Sequence, residues 1–322
     1  MLKKKSSGTS GGGSLVAVST RRERRKLVKR NWELYLFILP ALVYFILFSY
    51  WPMYGVLIAF KRYNAGIGIL QSPWAQPWYR YFKLFFDSAW FSTTIKNTLV
   101  LSLYGFVIGN ILPLLLALMI NEVQNMALKK TVQTVTYLPY FISEVVLVGL
   151  INLMFADKGV VNHMVTALGG TATQFLSSDA AFPHLYVWSG AWVGTGYGAI
   201  IYFAALSNVN PELYEAAVID GASRFQRIIH VTIPAIIPTF VMLLILGAGS
   251  IMSVSYTKVL LMQTTTNLEV SEVINTYVYK VGLLRSQYSL ATAVGLFNNI
   301  INLLLLVIVN KISRTVSDIA LW

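Results

Sequence analysis

The segment Glu215-Ala-Ala-Val-Ile-Asp-Gly221-Ala-Ser-Arg-Phe-Gln-Arg-Ile-Ile-His-Val-Thr-Ile-Pro234 is a polar stretch between two apolar runs. Asn210, shortly before it, is a good helix N-cap. Pro211 suits the first helical position, because no amide donor is needed there. Gly221 is the residue type that most readily ends a helix in a left-handed conformation. The pattern therefore predicts a short helix that stops at a glycine corner.

A second short helix is predicted directly after the corner. Ser223 with Gln226 forms a capping-box pattern, which predicts a helix from Arg224 to about Val231. Pro234 then opens the next apolar run. The segment is thus predicted to hold two short helices and a tight turn between two membrane spans.

The composition indicates an all-α integral membrane protein. Of the 322 residues, 56% are hydrophobic and only 12% are charged, against about 25% charged in soluble domains. The absence of cysteine excludes disulfides, cysteine-ligated metals and thiol chemistry. The net charge of +12 is concentrated in residues 1–33, which hold ten Lys/Arg and two Glu. A basic end beside an apolar run indicates a cytoplasmic membrane flank rather than a nucleic-acid site.

Six runs poor in charge are long enough to cross the lipid bilayer as helices. Their ranges are 34–60, 97–121, 135–156, 184–207, 234–257 and 287–310. We interpret the first as an uncleaved transmembrane helix. Gly194 and Gly198 in the fourth run suit close helix packing. The transmembrane domain is therefore predicted over residues 34–310.

The distribution of positive charge predicts the orientation. Segments 1–33, 122–134, 208–233 and 311–322 together carry 16 Lys/Arg, whereas the alternate segments carry 9. Positive residues favour the cytoplasmic side. We therefore expect both termini and the loop 208–233 in the cytoplasm. The N-terminal segment, which is rich in Gly and Ser, is also expected to be partly disordered.

The segment 61–96 is too long for a simple turn and is rich in aromatic residues. One interpretation is an interfacial helix in the aromatic belt of the membrane. The other is a docking surface for a periplasmic or extracellular solute receptor. The two are compatible, and the sequence leaves both open.

A family resemblance is carried by the first segment and by motifs elsewhere in the chain. Glu215, Ala216, Ala217, Gly221 and Pro234 match the EAA loop of permease subunits in ABC importers, with Val231 and Ile233 as conservative departures. Further matching stretches lie at 39–40, 59–64, 121–123, 137–139, 276–279 and 288–289. Over residues 30–315 the chain resembles the polysaccharide-importing branch of the carbohydrate permeases. The alginate importers are the most similar group there, although no motif specifies the saccharide.

The resemblance implies a type I ABC importer permease fold and a role for the loop. In that family the short helix docks in a cleft of the ATPase and couples its closure to the transmembrane helices. The residues that correspond here are Glu212, Glu215, Ala216, Ala217, Asp220 and Gly221. The implied partners are a second permease subunit, an ATPase dimer, a solute-binding protein and a saccharide. Acidic side chains at an anionic inner leaflet also favour a protein partner over lipid.

No motif for nucleotide binding or catalysis is present in the sequence. The chain contains no Gly-Lys pair and hence no phosphate-binding loop. The three histidines lack the spacing of metal ligands. We therefore expect no cofactor or metal in this chain, with ATP and Mg²⁺ bound by the partner ATPase, and no enzymatic activity of its own.

Four residues are candidates for the substrate path. Glu144 lies ten residues into the run 135–156, where exposure to lipid is costly. It either lines the path and pairs with another group, for example from a sister permease, or lies near the interface because the span starts later. Asn152, Asn298 and Asn299 suit sugar hydroxyls, but hydrogen bonds between helices are an equal alternative. A secondary transporter of a small polar solute is the competing function, although no internal repeat is visible.

Overall fold

The computed structural model describes residues 31–317. Within that range the chain is helical, and the sole extended pairing is an isolated bridge between Lys61 and Trp74. Most of the predicted N-terminal segment 1–33 and part of the tail 311–322 lie outside the described residues. The chain divides into two compact units, Met1–Gly55 and Val56–Trp322.

The described part of the first unit is one apolar helix. It begins as α1 (Trp32–Phe45) and continues through a π-helical turn, Ile46–Tyr50, into Trp51–Met53. All of its side chains are exposed within this unit. Because these side chains are almost all hydrophobic, this surface suits lipid or another protein rather than water.

The second unit opens with a 3₁₀ helix, Tyr54–Phe60, which starts just before the unit boundary. Its principal helices are α2 (Arg80–Phe86), α3 (Trp90–Asn121), α4 (Met126–Tyr137), α5 (Glu144–Phe155), α6 (Val160–Ala167), α7 (Ala181–Ser207), α8 (Pro211–Ile219), α9 (Arg224–Arg227), α10 (Ile233–Ala248), α11 (Tyr256–Met262), α12 (Ile274–Tyr279) and α13 (Tyr288–Ser317). Shorter helical turns lie at Gly68–Gln71, Leu138–Phe141, Phe175–Ser177, Ile228–Thr232, Leu268–Ser271 and Lys280–Leu284.

Four continuous helices are long and apolar enough to cross a membrane. They are Trp32–Phe60, Trp90–Asn121, Arg224–Ala248 and Tyr288–Thr315. A bent pair, Met126–Phe141 with Glu144–Ala167, gives a fifth if it counts as one span. Helix α7 has 27 residues, which at about 1.5 Å per residue also suffices in length, but its Gly, Trp and Tyr residues lower its hydropathy. The predicted count of six therefore stays a prediction.

The predicted run 135–156 is not one continuous helix. The chain bends by 100° between Phe141 and Glu144. Pro139 lies in the 3₁₀ turn before the bend and has no amide hydrogen to donate. Ser143 then adopts an extended conformation and caps α5, its Oγ accepting the N–H of Val146 at 3.3 Å. Glu144 is consequently the first residue of a helix and does not lie in the middle of one.

The predicted span 234–257 also has different limits. Helix α9 runs through the π-helical turn Ile228–Thr232 into α10, so the predicted second short helix is the start of this span. The ring of Pro234 crowds the carbonyl four residues before it, which disfavours regular α-helical geometry in that turn, and the N–H of Ile233 bonds to the carbonyl of Ile228. The helix ends at Ala248, because the neutral residues that follow form turns.

Helix α7 packs closely against its neighbours α3, α4 and α10, and glycines allow this close packing. Helix α7 packs along α3 and contacts α4 and α10. A Cβ at Gly196 would lie 2.0 Å from the carbonyl oxygen of Thr136, and one at Gly198 would lie 3.0 Å from Pro113. A Cβ at Gly194 would meet nothing within 4 Å. Close packing was thus predicted correctly for Gly198 and wrongly for Gly194, whereas Gly196 was missed.

Candidate functional site

The short helix α8 begins as its sequence predicts. The Oδ1 of Asn210 accepts the N–H of Glu212 at 3.0 Å, and Pro211 occupies the first helical position. The Nδ2 of Asn210 also donates to the Glu212 carboxylate at 3.1 Å. Glu212 therefore serves the helix start, where a carboxylate is favoured by the helix dipole.

Gly221 ends α8 in a left-handed conformation, with φ of +76°. The N–H of Gly221 bonds to the carbonyl of Val218 at 3.0 Å, and the N–H of Ala222 to that of Ala217 at 2.9 Å. This pair of bonds is a Schellman motif, which satisfies the last carbonyls of the helix. The predicted glycine corner is confirmed, and so is the capping box of Ser223 and Gln226.

The surface of this corner combines acidic and apolar groups. Glu212, Glu215, Ala216, Asp220 and Gly221 are exposed, and Ala217 is half-buried. Among the described residues, the carboxylate of Glu215 has no hydrogen-bond or ion-pair partner. Leu213, Val218, Ile219 and Phe225 expose large apolar side chains beside these carboxylates. We call this surface, residues 210–227, the coupling corner; its composition suits a protein partner that supplies donors and an apolar groove.

A hydrogen bond that the sequence did not reveal braces the coupling corner. The hydroxyl of Tyr214 on α8 lies 3.2 Å from Oγ1 of Thr232, which is fully buried in the π-helical turn before α10. The bond links the short helix directly to the long span behind it. The two residues are 18 positions apart, and no periodic pattern relates them.

A second candidate site is a cavity of about 580 Å³ between α11, α12 and α13. That volume lies within the range of about 300–1,000 Å³ typical of ligand pockets. None of the residues that line it carries a charge. We call it the tyrosine cavity, because its aromatic and polar lining is Tyr256, Asn275, Tyr279, Tyr288, Thr292 and Asn299.

The tyrosine cavity places aromatic faces beside neutral polar groups. The rings of Tyr256 and Tyr279 are stacked, with centroids 5.4 Å apart and planes at 24°. Tyr288 begins α13, and Asn299 follows about three turns later, roughly 16 Å along the helix. Such a lining offers apolar surface together with hydrogen-bond donors and acceptors. It can therefore bind an elongated, hydroxyl-rich ligand.

The three asparagines proposed for the path have different positions. Asn299 is exposed and lines the tyrosine cavity. Asn298 is buried, and its Nδ2 donates to the carbonyl of Met252 at 3.4 Å. With Asn302, whose Oδ1 accepts the N–H of Met252 at 2.8 Å, it holds the turns after α10. Asn152 is exposed on α5 and lines neither this cavity nor the one beside Glu144.

Glu144 lines a second cavity, of about 400 Å³, between the glycine-bearing faces of α3 and α7. The Oγ of Ser255 donates to both carboxylate oxygens of Glu144, at 2.9 and 3.1 Å. Lys258 also lines this cavity; its ammonium donates to the carbonyl of Tyr186 at 2.7 Å and lies 4.5 Å from that ring's centroid. The expectation that Glu144 pairs with another group is met within this chain, because Ser255 supplies a hydroxyl and no sister permease is needed for it. Its place in the path stays a prediction.

Within residues 31–317, no three His, Asp or Glu side chains gather as metal ligands.

Comparison with known proteins agrees with this architecture. Residues 109–318 match the family described as "Binding-protein-dependent transport system inner membrane component". The chain is 40% identical over 288 residues to Protein LplB of Bacillus subtilis, covering 89% of this chain and 90% of LplB. It is also 40% identical over 304 residues to the polygalacturonan/rhamnogalacturonan transport system permease protein YteP of the same organism, covering 92% and 94%.

Two solved transporter structures are similar to this chain over most of its length. One is a bacterial ABC transporter involved in the import of the acidic polysaccharide alginate. The similarity has a TM-score of 0.84 and 39% identity, over 91% of this chain and 99% of that one. Another, with a TM-score of 0.84 and 38% identity over 92% and 99%, is a bacterial alginate ABC transporter in complex with an alginate pentasaccharide-bound periplasmic protein.

The family match confirms the predicted fold class and the identification as a permease subunit rather than an enzyme. It also shows that the chain is a multi-pass protein of the inner membrane. The matched residues include the coupling corner and most of the tyrosine cavity. The chain therefore belongs to the family of inner membrane components of binding-protein-dependent transport systems.

Proposed function

We propose that the chain forms, with a sister permease, the alternating-access path of an ATP-driven importer for an oligo- or polysaccharide. The saccharide would be delivered by a solute-binding protein. The observation that carries this proposal is the tyrosine cavity. The names of the relatives support it, since YteP is a polygalacturonan/rhamnogalacturonan permease and a structural neighbour imports alginate. ATP and Mg²⁺ would be bound by partner ATPase subunits.

The chemistry of the cavity favours sugar rings as ligands. A pyranose ring presents hydroxyl groups at its edge and an apolar C–H surface on its faces. The stacked rings of Tyr256 and Tyr279 suit those faces, and the amide of Asn299 suits the hydroxyls. Because the lining is uncharged, this chain would bind the rings, and any carboxylates of a uronate would be neutralised elsewhere in the complex.

The coupling corner would dock on the ATPase. Exposed Glu215 and Asp220 beside Ile219 would enter a cleft with complementary donors. Movement of α8 would reach α10 through the bond between Tyr214 and Thr232. The family match argues against the competing function, a secondary transporter, because the matched family works with a binding protein.

We expect Asn299→Ala and Tyr279→Ala to weaken saccharide-dependent transport. Loss of one or two hydrogen bonds, or of a stacking face, corresponds to about a tenfold change in affinity. The measurement is uptake by the complex reconstituted with its ATPase and binding protein. The saccharide is the one to which the wild type responds, from a panel of uronate and neutral oligosaccharides of equal length.

Asn152→Ala is the matched control, since Asn152 is exposed and lines neither cavity. It should transport like the wild type. Wild-type uptake in both Asn299→Ala and Tyr279→Ala would remove the tyrosine cavity from the path. Equal losses in all three variants would also contradict the proposal, since the effect would not depend on the cavity.

The orientation is a separate expectation: both termini and the loop 208–233 lie in the cytoplasm. The chain has no natural cysteine, so single cysteines provide clean labels. A cysteine at Ser223 should react with a membrane-impermeant maleimide only after cells are permeabilised. A cysteine at Thr171, in a loop assigned to the other side, should react in intact cells. Labelling of the Ser223 position from outside would reverse the assigned topology.

A further inference from the structure

Residues 61–79, which we call the outer loop, are folded around a buried lysine. Lys61 is only 4% exposed. Its ammonium donates to the carbonyls of Ile69 and Leu70 at 2.9 and 2.8 Å, and lies 5.0 Å from the centroid of a Trp74 ring. A buried charge requires such partners. The loop therefore has a fixed internal structure built around this ammonium group.

The backbone of the outer loop is also closed on itself. The N–H of Arg62 bonds to the carbonyl of Pro73 at 2.8 Å, and the N–H of Ala75 to that of Phe60 at 2.9 Å. The Oγ of Ser72 accepts the N–H of Asn64 at 3.1 Å. These bonds make the start and the return of the loop one unit, which moves as a whole if it moves.

Ser289 ties this unit to the beginning of α13. Its Oγ donates to the carbonyl of Lys61 at 2.7 Å and accepts the N–H of Tyr63 at 3.1 Å. The side chain is 6% exposed. These two bonds join chain positions more than 220 residues apart. They bring together the stretches 59–64 and 288–289, both of which carry the family resemblance.

The residue next to this tie lines the tyrosine cavity. Tyr288 is a lining residue, and its ring meets that of Tyr63 edge to face, with centroids 5.8 Å apart and planes at 83°. Tyr63 itself is half-buried and does not line the cavity. An edge-to-face pair restricts the orientation of both rings. The outer loop thus fixes one end of the cavity without contacting its interior.

We propose that Ser289 and Tyr63 are positioning residues for the saccharide. They hold Tyr288 so that its ring forms an aromatic subsite at the end of the tyrosine cavity nearest the outer loop. The proposal rests on the proposed function of that cavity. A subsite fixed before the ligand arrives costs less ordering on binding, so its effect falls on affinity and not on the turnover of the loaded complex.

The test is a kinetic comparison in the complete complex with its ATPase and binding protein. The probe is the oligosaccharide to which the wild type responds, and ATP hydrolysis is measured against the concentration of saccharide-loaded binding protein. We expect Ser289→Ala and Tyr63→Ala to raise KM about tenfold, as for the loss of one or two hydrogen bonds or an aromatic contact. The maximal rate should stay within about twofold, because the coupling corner is unchanged.

Conservative variants separate positioning from a general loss of folding. Tyr63→Phe keeps the ring and the backbone N–H, and Ser289→Thr keeps a hydroxyl, so both should retain a KM near that of the wild type. Tyr288→Ala should raise KM as much as Tyr63→Ala does. The double variant Tyr63→Ala with Tyr288→Ala should have a KM no higher than that of Tyr288→Ala alone, because Tyr63 acts through Tyr288.

A wild-type KM in Ser289→Ala and Tyr63→Ala, or additive effects in the double variant, would overturn the proposal. If Ser289→Ala does not assemble, Tyr63→Ala and its double-mutant cycle decide alone. Tyr279→Ala and Asn299→Ala separate the proposed function of the cavity from the positioning role of Tyr63 and Ser289. If these two variants lose the saccharide response while the variants at Tyr63 and Ser289 keep the wild-type KM, the proposed function stands and only the positioning role is removed. Wild-type behaviour in all of them would remove both.

Discussion

Replacing Glu215 with lysine is expected to lower saccharide-stimulated ATP hydrolysis and uptake by about thirtyfold or more while the chain still assembles. Glu215 is exposed and has no partner among the described residues, so its replacement breaks no contact seen within this chain. At an interface whose partner donates to a carboxylate, the change would introduce a cation that the partner repels. This would weaken the free energy of docking by about 2 kcal/mol or more. The measurement is ATPase and uptake activity of the reconstituted complex, beside the yield of purified permease.

Asp157→Lys is the control for charge reversal alone. Asp157 is also exposed, and it lies in the loop after α5, remote in sequence from the coupling corner. The variant Asp157→Lys should leave both activities close to those of the wild type.

Gly221→Val tests the coupling corner independently, because a β-branched residue at φ of +76° is strained by about 1 kcal/mol or more. Normal stimulated hydrolysis and uptake in Glu215→Lys and Gly221→Val would contradict a coupling role.

The second large effect is expected at Gly196. A Cβ there would lie 2.0 Å from the carbonyl oxygen of Thr136 and 2.9 Å from the amide nitrogen of Tyr137. Both atoms belong to backbone, so the contact cannot be relieved by a rotamer change. Helices α7 and α4 must separate, at a cost of about 1–3 kcal/mol or more. Gly196→Ala should therefore lower the thermal stability and the yield of the folded permease in detergent.

Gly194→Ala is the matched comparison on the same helix. A Cβ at Gly194 meets nothing within 4 Å in this chain, and alanine favours a helix over glycine by about 1 kcal/mol in soluble hosts. Its stability should equal or exceed that of the wild type. If Gly196→Ala were as stable as Gly194→Ala, the close approach of α4 and α7 would not exist in solution.

Local structure in the coupling corner was determined by the sequence itself. The N-cap at Asn210, the left-handed Gly221 and the capping box at Ser223 were predicted and are present. Each signal acts between residues at most a few positions apart, through hydrogen bonds that the side chain makes to its own backbone neighbours. The membrane class is equally local, because hydropathy sums over consecutive residues.

The limits of the spans were predicted less well, because composition does not reveal where a neutral stretch stops being helical. Residues 249–255 carry no charge and only three serines as polar side chains, yet they form turns (249–252) and irregular backbone (253–255) after α10. Their backbone groups are partly satisfied by Asn302 and Asn275, which bond to Met252 and Val254. Irregular backbone is tolerated at membrane depth only with such partners. Those partners lie tens of positions away, so a window of consecutive residues does not detect them.

The tyrosine cavity and its contact with residues 61–79 were decided by the tertiary structure alone. By residue type alone, Asn298 and Asn299 were equal candidates. The structure distinguishes them, because Asn298 bonds to Met252 whereas Asn299 lines the cavity. The pairing of Tyr63 with Tyr288 and of Ser255 with Glu144 likewise joins residues more than 100 positions apart. Such contacts leave no periodic trace in the sequence, because they depend on how helices pack together and not on the repeat of a single helix.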